Sequence, residues 1–141
     1  MNEPERMLEM LGGREHGART LAVVGLSDDP SKASYGVSAY MQAHGYRILP
    51  VNPGISSALG ERSYASLSEL PERPDVVNVF RLPKAIPAIV DEMLALGLRN
   101  LWVQLGIRNE AAAQTAEAGG IHVVMDRCIM VEHRRIVPGL K

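Results

Sequence analysis

Short apolar runs without alternation trade places along this chain with segments whose apolar residues recur every three or four positions. Leu21-Ala22-Val23-Val24 is the first such run, and an unalternated strand is one buried on both faces, as in a parallel sheet. Tyr46 to Val51, Asp75 to Phe80, Asn100 to Leu105 and Ile121 to Met125 repeat it. Between them, Val37, Tyr40, Met41 and His44 predict a helix from about Ser34 to His44, ended by Gly45 in a left-handed turn. Ile86, Ile89, Val90, Met93 and Leu94 predict a second, with Pro83 and Pro87 near its first turn and Gly97 at its end. An alanine-rich third helix has Asn109 as N-cap and stops at Gly119-Gly120. Met7, Leu8 and Leu11 after Pro4 predict a short leading helix halted by Gly12-Gly13, and Asp126 to Arg135 has helical character. His16 and Arg19 fall in a linker and read as solvated. Ile55 to Ala65 reads as a polar loop over the sheet's edge, and Ser66-Leu67-Ser68-Glu69 has capping-box spacing. Strand and helix alternate about five times, which predicts an α/β fold: a doubly wound parallel sheet of about five strands in three α/β/α layers.

Ligands of such sheets bind beyond the carboxyl ends of the strands, at the switch in strand order. The first loop there, Gly25 to Ser34, offers hydroxyls, one lysine and the amides at a helix start, which together suit phosphate. The dinucleotide fingerprint G-x-G-x-x-G is absent, because Ser27 and Pro30 hold its second and third glycine places and proline has no amide hydrogen. Any strand-to-helix turn gathers Gly, Ser and Pro, so the loop alone leaves open whether it binds anything. After the second strand, where an NAD site expects an acid roughly 20 residues past the glycines, stands Asn52-Pro53. The third strand delivers Arg81-Leu82-Pro83-Lys84 to the same edge.

The 141 residues, 46% hydrophobic and 22% charged, fit one domain with a real core, expected as residues 20–141 after an N-terminal helix and linker over 1–19. A net charge of −1 provides no general field for nucleic acid or an anionic membrane, so any anion must be held locally. No apolar run approaches the roughly 18 residues of a membrane span, and Glu3-Pro4-Glu5 is unlike a signal peptide. One cysteine among seven methionines fits a reducing compartment, and the expected location is the cytoplasm.

VVGLSDDPSKASYGV, PVNP, DVVNVFR, LWVQLGIRNEAAA and VVMDRCIMVEHRR, in that order, resemble the small single-domain coenzyme A-binding proteins. These are similar in fold to the N-terminal domain of the succinyl-CoA synthetase alpha subunit, and the resemblance covers about Leu21 to Arg135. It implies a Rossmann-like domain binding CoA or an acyl-CoA, with phosphates and ribose near Ser27 and Lys32 and adenosine near Asn52 and Pro53. Arg81 and Pro83 would follow the same edge, and Gln104, Gly106 and Asn109 would flank the pantetheine arm. Gly25, Ser34 and Tyr35 complete the candidate set; neither catalytic nor metal-binding residues are expected. The ribose 3′-phosphate of CoA favours cations, which Lys32 and Arg81 could supply, while Asp28 and Asp29 count against that placement unless they face solvent or cap the helix.

A synthetase alpha subunit continues into a second domain carrying a phosphorylated histidine, whereas this chain ends at Lys141, so a complete acyl-CoA ligase is not expected. The expected function is CoA binding without catalysis, alone or with a protein partner or further copies of itself. The alternatives are a subunit of a partner-dependent acyl-CoA ligase and an NAD(P)-binding redox protein. Cys128 and His133 lie roughly 140° apart around a helix, so they do not form a nucleophile and base. Cys128 is expected to be buried and structural, with a thiol near the CoA sulfur as the alternative.

Overall fold

A computed structural model of the chain describes residues 1–13 and 19–137; the linker reading of His16 lies outside them. Five parallel strands form the main sheet: β1 (Thr20–Val24), β2 (Arg47–Val51), β5 (Val76–Val79), β6 (Asn100–Val103) and β7 (His122–Val124). Their order is β2-β1-β5-β6-β7, which is the doubly wound order whose reversal falls between β1 and β5. Alternate residues of each strand feed opposite layers. Ala22, Val24, Val77 and Val79 face one cluster, beneath α3 (Ile86–Leu96) and α4 (Glu110–Ala118). Leu21, Val23 and Trp102 face the other, beneath α1 (Pro4–Met10), α2 (Ala33–Ala43) and α5 (Ile129–Ile136). This is the expected three-layer α/β/α architecture.

Four local expectations are corrected. Leu94 is 37% exposed, and α3 buries Ile86, Ile89, Val90 and Met93 alone. In α1 the buried residues are Met7 and Met10, followed by Leu11, rather than Leu8. Ser66 is the N-cap of the short turn Leu67–Glu69, but its side chain accepts no amide there. Its hydroxyl meets Glu69 and Ser68 instead, while the amides of Leu67 and Ser68 donate to Glu92 of α3 at 3.3 and 3.4 Å. Cys128 is half-buried at the N-cap of α5 rather than sealed in the core.

The Ile55 to Ala65 stretch carries a small hairpin, β3 (Ser57–Ala58) with β4 (Glu61–Arg62), turned at Leu59 and Gly60, both at positive φ. Tyr64 then bridges Val51 in parallel, and its amide donates to the Pro50 carbonyl at 3.0 Å. The segment therefore covers the outer edge of β2, an edge strand that also tolerates a proline.

Tyr46 fastens α1 to the sheet. It is 4% exposed, and its hydroxyl donates to the Leu11 carbonyl at 2.5 Å. Burial, with nearby Tyr40 adding and Arg19 opposing, pushes the phenol up to about 12. The folded value exceeds the unfolded one near 10, so this stabilisation is whole below pH 10 and is lost as the pH rises toward 12. Wild type is expected to lose about 2 to 3 kcal/mol more than Tyr46→Phe across that window, read from denaturant midpoints at each pH. Parallel loss in both proteins would contradict it.

Candidate functional site

Gly25 ends β1 at the reversal of strand order, with φ +89° and its amide donating to the Val51 carbonyl at 2.9 Å. A Cβ there would press into the Phe80 carbonyl oxygen, so only glycine lets the chains leaving β1 and β5 run this close. Arg81 uses the same space: its Cδ lies 3.3 Å from the place such a Cβ would occupy. The arginine stem therefore leans back over the first loop.

That loop is braced from within. Ser34, buried in the first turn of α2, accepts the Ser27 amide at its hydroxyl oxygen at 3.0 Å, and Ser27 Oγ accepts the Asp29 amide at 3.0 Å. Asp29 turns onto Ser31, accepting its amide at 2.9 Å and its hydroxyl at 2.8 Å. Those bonds, the amide's first, hold the Asp29 carboxyl below its usual range. Asp29 thus caps the turn before α2, Asp28 is exposed, and neither carboxylate is part of the lining of the cleft beside this loop. Lys32 is the N-cap residue of α2, with Ala33 and Ser34 in positions whose amides have no carbonyl partner within the helix.

Gly25, Ser27, Lys32, Ser34 and Arg81 share one open cleft of about 460 Å³ with Ala33, Phe80, Leu82 and Ile107. No carboxylate lines it, and neither Lys32 nor Arg81 forms an ion pair among the described residues. Two cations and a helix start at one mouth favour an anion there.

The other sequence candidates stand around this cleft rather than lining it. Tyr35 is half-buried, one position deeper in α2, and Pro53 is exposed beyond β2. Asn52 braces backbone: its amide nitrogen donates to Leu26 at 2.9 Å and its oxygen accepts from Gly54 at 2.8 Å. Gln104, 3% exposed, donates to Asn78 at 2.6 Å and accepts from Ile129 at 3.4 Å. Asn109 caps α4 as expected, accepting the Ala112 amide at 3.0 Å, and donates to the Pro83 carbonyl at 3.0 Å. The Gly106 amide, at the φ +86° turn, donates to Asp126 at 2.6 Å.

Sequence reasoning missed Phe80, Leu82 and Ile107 as walls of the cleft. Their signal was adjacency, since two flank Arg81 and one follows Gly106. It also missed Asp126, a non-glycine residue at φ +62° whose carboxylate pins the Gly106 amide and pairs with Arg108 at 3.2 Å. The Gly106 bond, the first cause, and Arg108 keep that carboxyl below its usual range. Among the described residues no three His, Cys, Asp or Glu side chains gather as metal ligands.

An anion-favouring cleft at the switch point of an α/β sheet lies where sheets of this kind receive their ligands. The CoA binding domain family matches residues 19–134, and the chain belongs to that family. The Bacillus subtilis (strain 168) protein YneT is 44% identical over 116 residues, 82% of this chain and 86% of YneT. The Thermus thermophilus structure of cell-free ID.343 is 42% identical with a TM-score of 0.80, covering 84% of this chain and 90% of that one. The apo form of Ca. Korarchaeum cryptofilum dinucleotide forming acetyl-coenzyme A synthetase 1 has a TM-score of 0.67 over 83% of this chain. Only 27% of that chain is covered, at 22% identity, so this likeness concerns the fold.

Proposed function

We propose that the cleft between the β1 and β5 loops binds CoA or an acyl-CoA and that the chain does no chemistry alone. The observation that carries this reading is a cleft at the strand switch with Lys32 and Arg81 at its mouth and no carboxylate in its lining. CoA brings a pyrophosphate and a 3′-phosphate, and such groups are best met by amides at a helix start and by cations. An NAD ribose instead calls for an acid after the second strand, where Asn52 spends its side chain on Leu26 and Gly54. Membership of the CoA binding domain family supports the same choice.

In this reading the first turn of α2, Ser27, Lys32 and Arg81 meet phosphate, and Asn52 and Pro53 bound the adenosine end. Pro83, Gly106 and Asn109 shape the path of the pantetheine arm, with Gln104 supporting that loop from below. One cysteine in 141 residues suits the reducing cytoplasm. A net charge of −1 argues against nucleic acid as partner. The second reading, a subunit whose partner completes an acyl-CoA ligase, draws on the fold shared with part of the Korarchaeum synthetase.

Calorimetric titration with CoA, NAD and NADP tests the ligand. CoA is expected to bind at least about tenfold more tightly, equivalent to about 1.4 kcal/mol. Tighter binding of NAD would overturn the assignment. Incubation with CoA, ATP and a carboxylic acid is expected to yield no thioester above a protein-free control, and its appearance would refute the non-catalytic part.

A further inference from the structure

The two most exposed large hydrophobic side chains among the described residues are Leu82, at 66%, and Leu105, at 65%. One exposed leucine needs no explanation. These two, however, stand at the same carboxyl edge of the sheet, on the loops that follow β5 and β6. Those strands are parallel neighbours with Val79 opposite Val103, so their loops leave the sheet side by side. Asn109 ties the second loop to the first through the Pro83 carbonyl at 3.0 Å. Leu82 and Ile107 also line the cleft itself. The apolar ledge is therefore continuous with the anion-favouring mouth.

The cleft has two unlike sides. On the β1 and α2 side are Ser27, Lys32, Ser34 and the Arg81 stem lying over Gly25. On the β5 and β6 side are Leu82 and Ile107, with Leu105 just ahead of Ile107 on the same loop. A ligand matched to both is anionic at one end and apolar at the other. Free CoA ends in a polar arm and a thiol, and would leave the ledge wet. Resting on the CoA reading, we infer that the physiological ligand is an acyl-CoA with an apolar acyl chain. Its phosphates meet Lys32 and Arg81, and its chain lies over Leu82, Leu105 and Ile107. The ledge is open on its outer side, so it covers one face of the chain and captures only part of the full transfer free energy of each methylene.

The test titrates CoA, acetyl-CoA and octanoyl-CoA, the last below its micelle concentration, into wild type, Leu105→Ser and Leu82→Ser/Leu105→Ser. Sedimentation velocity is run on each protein. Octanoyl-CoA is expected to bind wild type about tenfold or more tighter than CoA, with acetyl-CoA close to CoA. The octanoyl-to-CoA ratio should shrink in Leu105→Ser and fall to within about twofold in the double variant, whatever happens to CoA affinity itself. A ratio near one in wild type, with CoA still bound, overturns this inference alone. A ratio that survives both substitutions also overturns it. If the substitutions instead dissociate an oligomer and leave the ratio intact, the ledge is a contact between copies and the inference fails. Failure of all three ligands to bind wild type sinks the CoA reading and this inference together.

Discussion

Gly25→Ala is expected to lower the stability of the folded chain by about 2 to 5 kcal/mol and to disable the cleft. Two costs add. An L-residue held in left-handed backbone space costs roughly 1 to 2 kcal/mol, and Gly25 sits at φ +89°. Forcing an extra carbon into a filled space costs about 1 to 3 kcal/mol more, and here the obstacle is the Phe80 carbonyl, which is backbone. Neither side can yield cheaply. The Gly25 amide is bonded to Val51 of β2 at 2.9 Å, and the Phe80 amide to Val24 of β1 at 2.8 Å. Moving either apart breaks a rung between the strands that frame the site. Gly36→Ala is the control, because a Cβ there meets nothing within 4 Å and the position lies inside α2. It should stabilise by about 0.5 to 1 kcal/mol, since glycine is the weaker helix former. Urea midpoints at unchanged slope measure both. Gly25→Ala within 1 kcal/mol of wild type would show that the close approach is not what requires glycine.

The sheet was legible because burial on both faces leaves unalternated apolar runs: β2, β5, β6 and β7 fall within such runs, and β1 starts just ahead of its run at Thr20. What the sequence hid were choices made across the chain. Ser66 and Glu69 have capping spacing, yet Glu92, over twenty residues away, reaches the amides first, and local spacing carries no trace of it. The hairpin at Leu59-Gly60 lacks the Asn-Gly or Asp-Gly pair that announces such a turn, and the Leu59 carbonyl is held from outside by Gln42 at 3.0 Å. The candidate site shows the same division. Gly25, Ser27, Lys32 and Ser34 share one loop and helix start, and Arg81 ends the neighbouring strand, so order along the chain brings them together. The resemblance sets Asn52 near the adenosine and Gln104 and Asn109 along the pantetheine arm, while local spacing makes Asn109 the N-cap of α4. An amide serves a ligand or a neighbouring carbonyl equally well, and here all three hold backbone or core.

Loss of either cation should weaken CoA binding in a way that identifies the phosphate each one meets. Lys32 is exposed at the N-cap of α2 and Arg81 is half-buried against Gly25, so the two are screened by water to different degrees. A charge-assisted contact is worth about 1.5 to 3 kcal/mol where water is excluded, and exposed pairs about 1 kcal/mol or less. Arg81→Gln should therefore cost the larger share, about tenfold to a hundredfold in Kd. Lys32→Gln should cost less, about fivefold or below, and its cost should fall further at high salt because exposed charges are screened there. Glutamine keeps the aliphatic stem as far as Cγ and a polar end without the charge, and both positions lie outside the core, so folding stability should stay within about 0.5 kcal/mol of wild type. Dephospho-CoA then separates the phosphates. It should bind wild type more weakly than CoA does, and the difference should vanish in whichever variant has lost the partner of the 3′-phosphate. The other variant should keep the difference and lose affinity for both ligands alike, as a contact to the pyrophosphate would. If both variants bind CoA as wild type does, and dephospho-CoA binds all three proteins equally, neither side chain meets a phosphate and the anion site lies elsewhere on the sheet edge.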